Sequence, residues 1–378
     1  MKIVADKAIP LAAQLFSGMG DIELIPGREI DNKALQDCDI LLTRTVTKVN
    51  EALLQGTPVR YVASASGGVD HIDLAYLHSQ DITFMHAPGC NARSVCEYVL
   101  SSLFCLQDQF PFEWGSKQIG IVGHGHVGSL LARWLRTLGC TVTVYDPFIY
   151  PERDMEEVLQ ADIITLHAPL TDSGPYPTRN MFDAEIFSRL KSDVILINTA
   201  RGGIIREQAL MAFLTANPDA HVILDVWADE PDINIELLQR ASIATPHIAG
   251  YSLDAKYNAS HIVHTYLSEA IRPRTGDGDP TVSPQTGEQP NLKLNIEDDL
   301  EAVKMAVLAS YDARSDSAAL QRISSLPRVS RPAFFDSLRT NYPIRREFPN
   351  TQLQLPPARP ALREKLTALG FTLHPQAT

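Results

Sequence analysis

Short apolar runs alternate with helical stretches from residue 2 to about residue 90. Stretches with apolar residues at helical spacing, such as Leu11–Phe16 and Leu74–Leu77, separate the runs. Strands that alternate with helices in this way form βαβ units and a parallel sheet covered on both faces. The runs that predict strands are Ile3–Ala5, Ile22–Ile25, Ile40–Leu42, Tyr61–Ala63 and Ile82–Met85.

A second and more regular alternating series begins at Gln118. Helical stretches such as Leu130–Leu138 and Glu207–Leu214 lie between its apolar runs. Short strands joined by right-handed helical crossovers form a doubly wound sheet. The predicted strands are Gln118–Val122, Val142–Tyr145, Ile163–Leu166, Val194–Ile197, Val222–Leu224 and Ile243–Ala244.

Two long helical patterns, Asn91–Leu106 and Leu253–Ile271, flank this second series. If the later helix packs back on the first sheet, the first domain is discontinuous. We therefore expect a flavodoxin-like domain of residues 1–92 with 253–280, and a Rossmann domain of residues 93–252. Each is an α/β domain with a doubly wound parallel sheet.

The pattern changes again after residue 271. Residues 272–290 are rich in Pro, Gly, Thr and Asp with almost no apolar content, which predicts a linker. Residues 291–378 then predict a small C-terminal α/β domain. Its expected helices are Ile296–Tyr311, Ala333–Leu338 and Ala361–Leu369, and its expected strands are Thr351–Leu355 and Phe371–Leu373.

The composition of the chain argues against several classes of protein. The 378 residues include 33 Lys and Arg against 45 Asp and Glu, a formal charge of -12, which argues against a general nucleic-acid or membrane-surface binder. No apolar run reaches the roughly 18 residues of a membrane span, and the N-terminus lacks the apolar core of a signal peptide, so we expect a cytoplasmic protein. The cysteines form no C-x-x-C pair, and we expect buried free thiols.

The first motif that carries chemistry is Gly123-His124-Gly125-His126-Val127-Gly128, a G-x-G-x-x-G sequence directly after a predicted strand. Gly123 permits a tight turn, Gly125 lets the backbone approach a pyrophosphate, and Gly128 allows close packing of helix on strand. The helix that starts near Val127 directs its amides, including those of His126 and Val127, toward the phosphates. The motif therefore predicts a dinucleotide site.

Asp146 ends the next predicted strand, at about the ~20-residue spacing of an acid that accepts from the adenosine ribose hydroxyls. Because a carboxylate there repels a 2′-phosphate, we expect the cofactor to be NAD rather than NADP. His124 and His126 have no Cys or carboxylate at ligand spacing, so we expect no metal site.

Three polar residues follow strands of the second series. Arg201, Glu230 and His247 each come just after a predicted strand, at the sheet edge where open α/β sheets bind ligands. Each could be an ordinary surface residue. Together they provide a cation for a carboxylate and a histidine with an acid partner, which the oxidation of a 2-hydroxy acid requires.

These segments resemble the D-isomer-specific 2-hydroxyacid dehydrogenases over residues 1 to about 270. The resemblance rests on the glycine loop, N-x-x-R-G at Asn198, D-V-W-x-x-E-P at Asp225 and P-H-I-A-G at Pro246, with Met85–Asn91 and Ser94–Glu97 before them. It implies that Arg201 binds the substrate carboxylate, that His247 is the acid/base and that Glu230 orients it. It also implies cofactor contacts from Asp146, Ala168, Thr199, Asp225 and Gly250.

Further segments resemble a branch of that family that acts on a small phosphorylated hydroxy acid and forms homodimers through its C-terminal domain. They are Arg44–Asn50, Ala87–Asn91, His247–Tyr251, Leu338–Tyr342 and Arg345–Glu347. The resemblance implies substrate contacts from Thr45, Ser66 and Tyr251. A phosphate would be bound by Arg44 in the first domain, and Arg345 and Arg346 either add charge there or form a surface ion pair with Glu347.

Some positions depart from the family pattern, and other functions stay open. Thr45 and Ser66 exchange one hydroxyl residue for the other, and Arg206 stands where an acid is usual. The alternatives are another D-2-hydroxyacid dehydrogenase, such as a phosphoglycerate dehydrogenase, and a non-enzymatic NADH-sensing protein of the same fold.

Overall fold

The computed structural model describes residues 1–271, 290–356 and 359–375. By its internal contacts the chain divides into two compact units. The first contains residues 1–91 and the described residues from Ser252 onward to 271, and the second contains residues 92–251 with the described residues from 290 onward. The predicted linker lies outside the described residues apart from Pro290, and the division into three domains stays a prediction.

All strands except β12, which was not predicted, follow the predicted runs, with bounds that differ by at most two residues. They are β1 Lys2–Asp6, β2 Asp21–Ile25, β3 Ile40–Thr43, β4 Tyr61–Ser64, β5 Thr83–His86, β6 Gln118–Val122, β7 Thr141–Tyr145, β8 Ile163–Leu166, β9 Ile195–Asn198, β10 His221–Leu224, β11 Ile243–Ala244, β12 Asn291–Lys293, β13 Gln352–Leu355 and β14 Thr372–Pro375.

The helices include several that periodicity alone did not predict. They are α1 Ala12–Phe16, α2 Glu51–Leu54, α3 Leu74–Ser79, α4 Ala92–Gln109, α5 His126–Thr137, α6 Glu156–Leu159, α7 Ala184–Ser188, α8 Glu207–Ala216, α9 Ile235–Arg240, α10 Leu253–Ile271, α11 Asp299–Ser310, α12 Ala313–Gln321, α13 Arg331–Thr340 and α14 Pro360–Leu369. Short 3-10 helices occupy Gly27–Glu29, Lys33–Leu35, Trp114–Ser116, Gly202–Ile204, Arg322–Ser325, Arg328–Ser330 and Phe348–Asn350.

The first unit is a parallel sheet in the order β2-β1-β3-β4-β5. Strand β3 is buried along its whole length, as expected of a parallel strand covered on both faces. Helix α10 packs on β4 and β5, so this part of the chain returns to the first sheet after the second has been completed. The prediction of a parallel sheet in a first α/β region of the chain is confirmed.

The second unit is built on a parallel sheet in the order β11-β10-β9-β8-β6-β7. The chain runs from β6 to β7 and then crosses back over β6 to β8, so the strand order reverses at β6. The carboxyl edge of an open sheet binds ligands where its order reverses. The loops after β6 and β8, together with those after β9, β10 and β11, therefore define the candidate site.

The C-terminal residues of the second unit add a small parallel sheet, β12-β13-β14, and the helices α11 to α14. The buried apolar side chains of this sheet, α11 and α14 belong to one cluster with those of α4 and α5. Trp134 of α5, for example, stacks on Phe348 with ring centres 6.0 Å apart. The third sheet therefore shares a hydrophobic core with the Rossmann sheet.

Helix α12 shows why periodicity missed some elements. Its sequence is mostly polar or small, and only Ala313 and Leu320 are buried. Where the amphipathic signal was stronger, the predictions agree with the structure, and the five cysteines are buried free thiols as predicted. In the described part of the chain, no helix combines the length and apolar character needed to cross a membrane.

Candidate active site

The glycine turn after β6 has the geometry that its sequence predicts. Gly123 has a φ of +91°, and a Cβ there would lie 2.8 Å from the carbonyl of His167. A Cβ at Gly128 would collide with the carbonyl oxygen of Gly123. At Gly125, in contrast, no described atom lies within 4 Å of a Cβ position. The turn is closed on its inner side and open at Gly125, which fits a pyrophosphate that approaches the backbone.

Helix α5 begins at His126, one residue earlier than predicted, and its N-cap residue Gly125 has no side chain to cap it. The first amides of a helix have no partner within the helix, and the helix dipole adds positive potential there. His126 is exposed and Val127 is half-buried against the core, so both amides lie at the end of the helix next to the turn. This end of the helix fits an anionic group.

Asp146 connects the glycine turn to the loop after β7. Its Oδ2 accepts a hydrogen bond from the amide of His124 at 2.8 Å, and its Oδ1 accepts from the amide of Phe148 at 3.1 Å. The ring of His124 lies 3.1 Å from the hydroxyl of Tyr150. Since each carboxylate oxygen can accept more than one hydrogen bond, Asp146 can hold the turn and also accept from ribose hydroxyls.

The loop after β8 lies against the glycine turn through Ala168, whose amide nitrogen is 2.9 Å from the Cβ position of Gly123. The adjacent His167 has its Nε2 2.9 Å from the hydroxyl of Thr165 and its Nδ1 3.4 Å from the hydroxyl of Thr199. Burial lowers the pKa of His167 to about 3, so the ring is neutral. The loops that carry the predicted residues Ala168 and Thr199 therefore meet at His167, which sequence reasoning missed.

Asn198, the last residue of β9, shapes the loop that carries Arg201. The buried Asn198 amide donates to the carbonyl of Arg201 at 2.9 Å and accepts from the amide of Ala200 at 3.1 Å. The Arg201 guanidinium donates to the carbonyl of Ala200 at 2.8 Å. A Cβ at Gly202 would collide with the backbone of Trp227. The loop after β9 therefore packs on the loop after β10.

Glu230 and His247 are in direct contact. The Oε2 of Glu230 lies 2.7 Å from the Nδ1 of His247, and its Oε1 accepts from the amide of Trp227 at 2.9 Å. Burial raises the pKa of Glu230, but the charge and hydrogen bond of His247, the Trp227 amide and the charge of Arg339 outweigh it and hold that pKa below its usual value. The Glu230–Pro231 peptide bond is cis.

The loop after β11 holds His247 in an uncommon backbone conformation. His247 has a φ of +58°, the left-handed region that non-glycine residues rarely adopt. Its amide donates to the carbonyl of Asp225 at 2.7 Å. The buried Asp225 carboxylate accepts from the hydroxyl of Thr245 and the amides of Ile248 and Ala249, at 2.7, 2.7 and 2.9 Å. Asp225 therefore organises the backbone on both sides of His247.

The same loop continues through Gly250 to Tyr251. A hydrogen bond of 2.8 Å from the amide of Tyr251 to the carbonyl of Ile248 closes this turn around Gly250. The hydroxyl of Tyr251 accepts a hydrogen bond of 3.0 Å from Arg339 of helix α13. The predicted residues Glu230, His247, Gly250 and Tyr251 thus lie on two adjoining loops of the second unit.

The first unit carries the other predicted substrate residues. Arg44, just after β3, donates from Nε to the buried carboxylate of Asp6 at 2.8 Å. Thr45 is exposed next to it. Ser66, after β4, donates to the carbonyl of Gly68 at 2.9 Å. These residues follow neighbouring strands of one sheet, so the carboxyl edge of the first sheet is the polar edge that the sequence predicts.

Comparison with known proteins identifies the family. A family model described as "D-isomer specific 2-hydroxyacid dehydrogenase, NAD binding domain" matches residues 106–249, and one described as "Domain of unknown function (DUF3410)" matches residues 285–370. The chain is 44% identical over 388 residues to an erythronate-4-phosphate dehydrogenase of Hahella chejuensis, with 99% of each chain covered. The chain belongs to the erythronate-4-phosphate dehydrogenase family.

Two further comparisons agree with this membership. The erythronate-4-phosphate dehydrogenase of Marinobacter nauticus is 40% identical over 389 residues, which cover 99% of this chain and 100% of that protein. Among solved structures, the NAD+-bound 3-phosphoglycerate dehydrogenase of Entamoeba histolytica is similar with a TM-score of 0.62 and 27% identity, over 71% of this chain and 94% of that chain. The predicted family and the NAD cofactor are confirmed.

In this member of the erythronate-4-phosphate dehydrogenase family, the two consecutive arginines of the C-terminal segment have different surroundings. Arg345 is buried and donates to the carbonyls of Ala249 at 3.1 Å and Ser94 at 2.6 Å, while Arg346 contacts Asn350. The enclosed Arg345 supports the backbone of the loop that follows His247. It is therefore neither an exposed phosphate ligand nor part of a surface ion pair.

The structure also shows how this chain of the erythronate-4-phosphate dehydrogenase family accommodates Arg206. Arg206 precedes helix α8 and its side chain does not cap the helix. The next residue, Glu207, accepts from the amide of Ala228 at 3.0 Å. An acid one position later thus connects α8 to the loop after β10.

Sequence reasoning missed Asn198, His167 and Arg339. Asn198 was part of the recognised N-x-x-R-G segment, and Arg339 was part of the segment Leu338–Tyr342, but neither was given a role. For His167 the signal was its position directly after a buried strand. A sequence motif does not indicate which loop each of these three side chains contacts in the folded chain.

Proposed function

We propose that this chain catalyses the NAD-dependent oxidation of 4-phospho-D-erythronate to (R)-3-hydroxy-2-oxo-4-phosphobutanoate, a step of pyridoxal 5′-phosphate (vitamin B6) biosynthesis. The observation that carries the proposal is the 2.7 Å contact between Glu230 and His247, in a chain of this family. In the reaction the C2–H bond breaks as a hydride transfers to the nicotinamide ring. The hydroxyl proton transfers to His247, and a C2=O double bond forms.

The contact with Glu230 determines which nitrogen of His247 acts. Because an ionised carboxylate can only accept, the neutral ring carries its hydrogen on Nδ1, toward Glu230. The lone pair is then on Nε2, which accepts the hydroxyl proton. Glu230 stabilises the imidazolium that forms and fixes the plane of the ring.

Arg201 has the chemistry to bind the carboxylate next to the reacting carbon. Its guanidinium can donate two parallel hydrogen bonds to a carboxylate, and its loop follows β9, beside the strand that precedes Glu230. Asn198 and the packing of Gly202 fix this loop. Such fixing keeps the reacting carbon in one orientation relative to His247.

The phosphate end of the substrate needs a second anion site, and Arg44 is our candidate for it. Asp6 holds Arg44 through Nε. Its two terminal nitrogens form no hydrogen bond with other described residues, and they can donate to phosphate. Thr45, Ser66 and Tyr251 add hydroxyl groups. When bound, NAD would supply the hydride acceptor. The residues that would hold it are those of the glycine turn and the start of α5, with Asp146, Ala168, Thr199, Asp225 and Gly250.

The test is a substrate panel measured by NADH absorbance on the purified chain. It contains 4-phospho-D-erythronate, D-erythronate, 3-phospho-D-glycerate and D-lactate. We expect the highest kcat/KM with 4-phospho-D-erythronate. A preference for 3-phosphoglycerate or lactate would assign another D-2-hydroxyacid dehydrogenase, and NADH binding with no turnover of any acid would favour a sensing protein.

Arg44→Ala tests the phosphate site within this panel. We expect kcat/KM for the phosphorylated substrate to fall by about ten- to a hundredfold, because a charge-assisted hydrogen bond is worth roughly 1.5–3 kcal/mol. The loss with D-erythronate should be much smaller. Arg60→Ala is the matched control, because Arg60 precedes β4 and pairs with Asp39 at the opposite edge of the same sheet. Equal losses with both substrates would make Arg44 structural.

We also propose a cytoplasmic homodimer that associates through the C-terminal domain. Among the described C-terminal residues, the two most exposed large apolar side chains are Val329 at 88% and Ile344 at 78%. Exposed apolar residues of this kind are typical of an interface when they lie together. Sedimentation should give twice the chain mass for the unmodified protein and a lower mass for Val329→Glu with Ile344→Glu. A monomeric unmodified protein would refute the dimer.

A further inference from the structure

Arg339 connects the C-terminal segment to the candidate active site. It lies near the end of helix α13, and its guanidinium donates to the hydroxyl oxygen of Tyr251 at 3.0 Å. Its carbon Cζ lies 5.6 Å from the centre of the Tyr251 ring. A carboxylate oxygen of Asp336, one turn earlier in α13, lies 4.0 Å from the guanidinium. Both the ring and the hydroxyl of Tyr251 are therefore held by one cation.

The side chain of Arg339 is largely enclosed. It is 21% exposed, and its Nε is buried without a hydrogen-bond partner in the described part of the chain. Ion pairing at a distance of 4.0 Å to Asp336 is weak and does not account for burying a charged group. A largely enclosed cation with a buried, unused Nε–H is costly for folding alone, and this cost suggests a role in binding or catalysis.

The charges around Arg339 include the candidate acid/base pair. Burial acts to lower the pKa of Arg339, but Tyr251, Glu230 and Asp336 outweigh it and raise that pKa above its usual value. In return, the charge of Arg339 helps to hold the pKa of Glu230 low. Arg339 is therefore a permanent positive charge that acts on the Glu230–His247 pair.

The direction of the hydrogen bond to Tyr251 has a chemical consequence. A guanidinium has donors and no acceptor, so the Tyr251 hydroxyl can only accept from it. The single hydroxyl hydrogen of Tyr251 must then point to a different acceptor. Donation by a cation also polarises the hydroxyl and strengthens its own donation.

We propose that Arg339 is a positioning residue for the reaction: it directs the Tyr251 hydroxyl hydrogen toward an oxygen of the anionic substrate. This inference rests on the proposed function, because it takes Tyr251 as a substrate contact. It gives the segment matched by a domain of unknown function an indirect part in the active site, through Tyr251.

The test compares Arg339→Met, which removes the charge at similar length, with Arg339→Lys, which keeps the charge but loses the planar fork. Kinetics are measured across pH with the best hydroxy acid of the panel. Arg339→Met should raise KM by about ten- to a hundredfold, since it removes one charge-assisted hydrogen bond at a binding residue. Its activity should also need higher pH, because loss of a nearby cation favours the protonated Glu230–His247 pair. Arg339→Lys should restore the pH dependence and only part of KM.

A double-mutant cycle tests whether Arg339 acts through Tyr251. Tyr251→Phe alone should raise KM by an amount similar to Arg339→Met, and the double variant should be little worse than either one. Arg322→Met is the matched control, because Arg322 is an exposed arginine of the same segment. Among the described residues its side chain donates a hydrogen bond to the carbonyl of Ala319, within its own turn. It should leave KM and the pH dependence unchanged.

The inference and the proposed function fail in different ways. If the unmodified chain prefers another hydroxy acid, the proposed substrate is wrong. The inference about Arg339 can then still be tested, by comparing its variants with that preferred acid as the substrate. If Arg339→Met lowers the melting temperature but leaves KM and the pH dependence unchanged, Arg339 only connects α13 to the loop and the inference is refuted. Additive effects of Arg339→Met and Tyr251→Phe would refute the action through Tyr251.

Discussion

Two buried aspartates, one in each unit, hold functional residues in different ways. Asp225 follows β10, and its carboxylate accepts hydrogen bonds from one hydroxyl and two backbone amides around His247. Asp6 ends β1, and its carboxylate accepts from the amide of Ala8 and the side chain of Arg44. Both side chains are 1% exposed. Asp225 fixes the backbone around His247, while Asp6 holds the Arg44 side chain along with one nearby backbone amide.

This difference fits the roles proposed for the residues that the two aspartates hold, His247 and Arg44. A proton acceptor must be positioned to a fraction of an ångström relative to the reacting bond, and a backbone fixed on both sides provides that accuracy. A cation that attracts a phosphate tolerates more freedom, because charge attraction depends weakly on angle. The comparison predicts that substitution of Asp225 lowers kcat, while substitution of Asp6 weakens binding of the substrate phosphate.

The largest expected effect is at His247 itself. His247→Ala removes the proton acceptor, and a positioned acid/base typically contributes about 10²–10⁴-fold. We expect a loss of that size in kcat, measured by NADH formation, with NAD binding retained in a calorimetric titration. A variant with near-normal turnover would show that His247 is not the proton acceptor. The comparison of the two aspartates, which assumes that role, would then also be wrong.

Asp225→Asn should have the next largest effect. The asparagine side chain places its own N–H group next to the backbone amides that now donate to the Asp225 carboxylate. Two donors cannot pair, so the loop that holds His247 should shift. A misplacement of about 1 Å can cost about a hundredfold in rate. We expect kcat to fall by roughly that amount for phosphorylated and unphosphorylated substrates alike, with a lower melting temperature. A change in KM alone would show that Asp225 does not position His247.

Asp6→Asn is the matched change in the first unit. The amide oxygen of asparagine can still accept a hydrogen bond from the Nε of Arg44. Because that oxygen carries no full negative charge, the bond should be present but weaker. We expect a loss of about tenfold in kcat/KM, confined to the phosphorylated substrate, with kcat nearly unchanged. If kcat falls as it does in Asp225→Asn, the contrast between the two aspartates is wrong.

Asp146 adds a third carboxylate, which combines backbone bonds with a proposed contact to the cofactor. Asp146→Ser removes the charge that repels a 2′-phosphate, so the preference for NAD over NADP should fall by about tenfold. Ratios of kcat/KM for the two cofactors measure this. Equal use of both cofactors by the unmodified chain would show that Asp146 does not select NAD.

The smallest expected change is a shift of pH dependence in Glu230→Gln. Burial raises the pKa of Glu230, and the contact with His247 is the largest of the effects that outweigh burial and hold that pKa below its usual value. An ionised Glu230 in turn favours the protonated ring. Without that charge the ring releases its proton more readily. We therefore expect the acid side of the rate profile to move by about one unit to lower pH. An unmoved profile would contradict the coupling that the 2.7 Å contact indicates.

The sequence by itself determined the two doubly wound sheets, the glycine turn and the order of the polar residues along the chain. These features depend on short spacings, such as alternating apolar runs and the positions of Gly123, Gly125 and Gly128 within one turn. Since strands of a parallel sheet end at one edge, knowing which residues follow the strands was enough to predict one edge for Arg201, Glu230 and His247. The structure shows the contact between Glu230 and His247.

The tertiary structure alone decided how those residues are held. Arg339 is 88 residues from Tyr251, and Arg345 is 96 residues from Ala249, and no local pattern relates the members of either pair. The same holds for Asp225, whose hydrogen bonds give His247 its left-handed backbone. Contacts of this kind form only when the hydrophobic core brings distant segments together, because the buried polar groups must then find partners wherever packing has placed them.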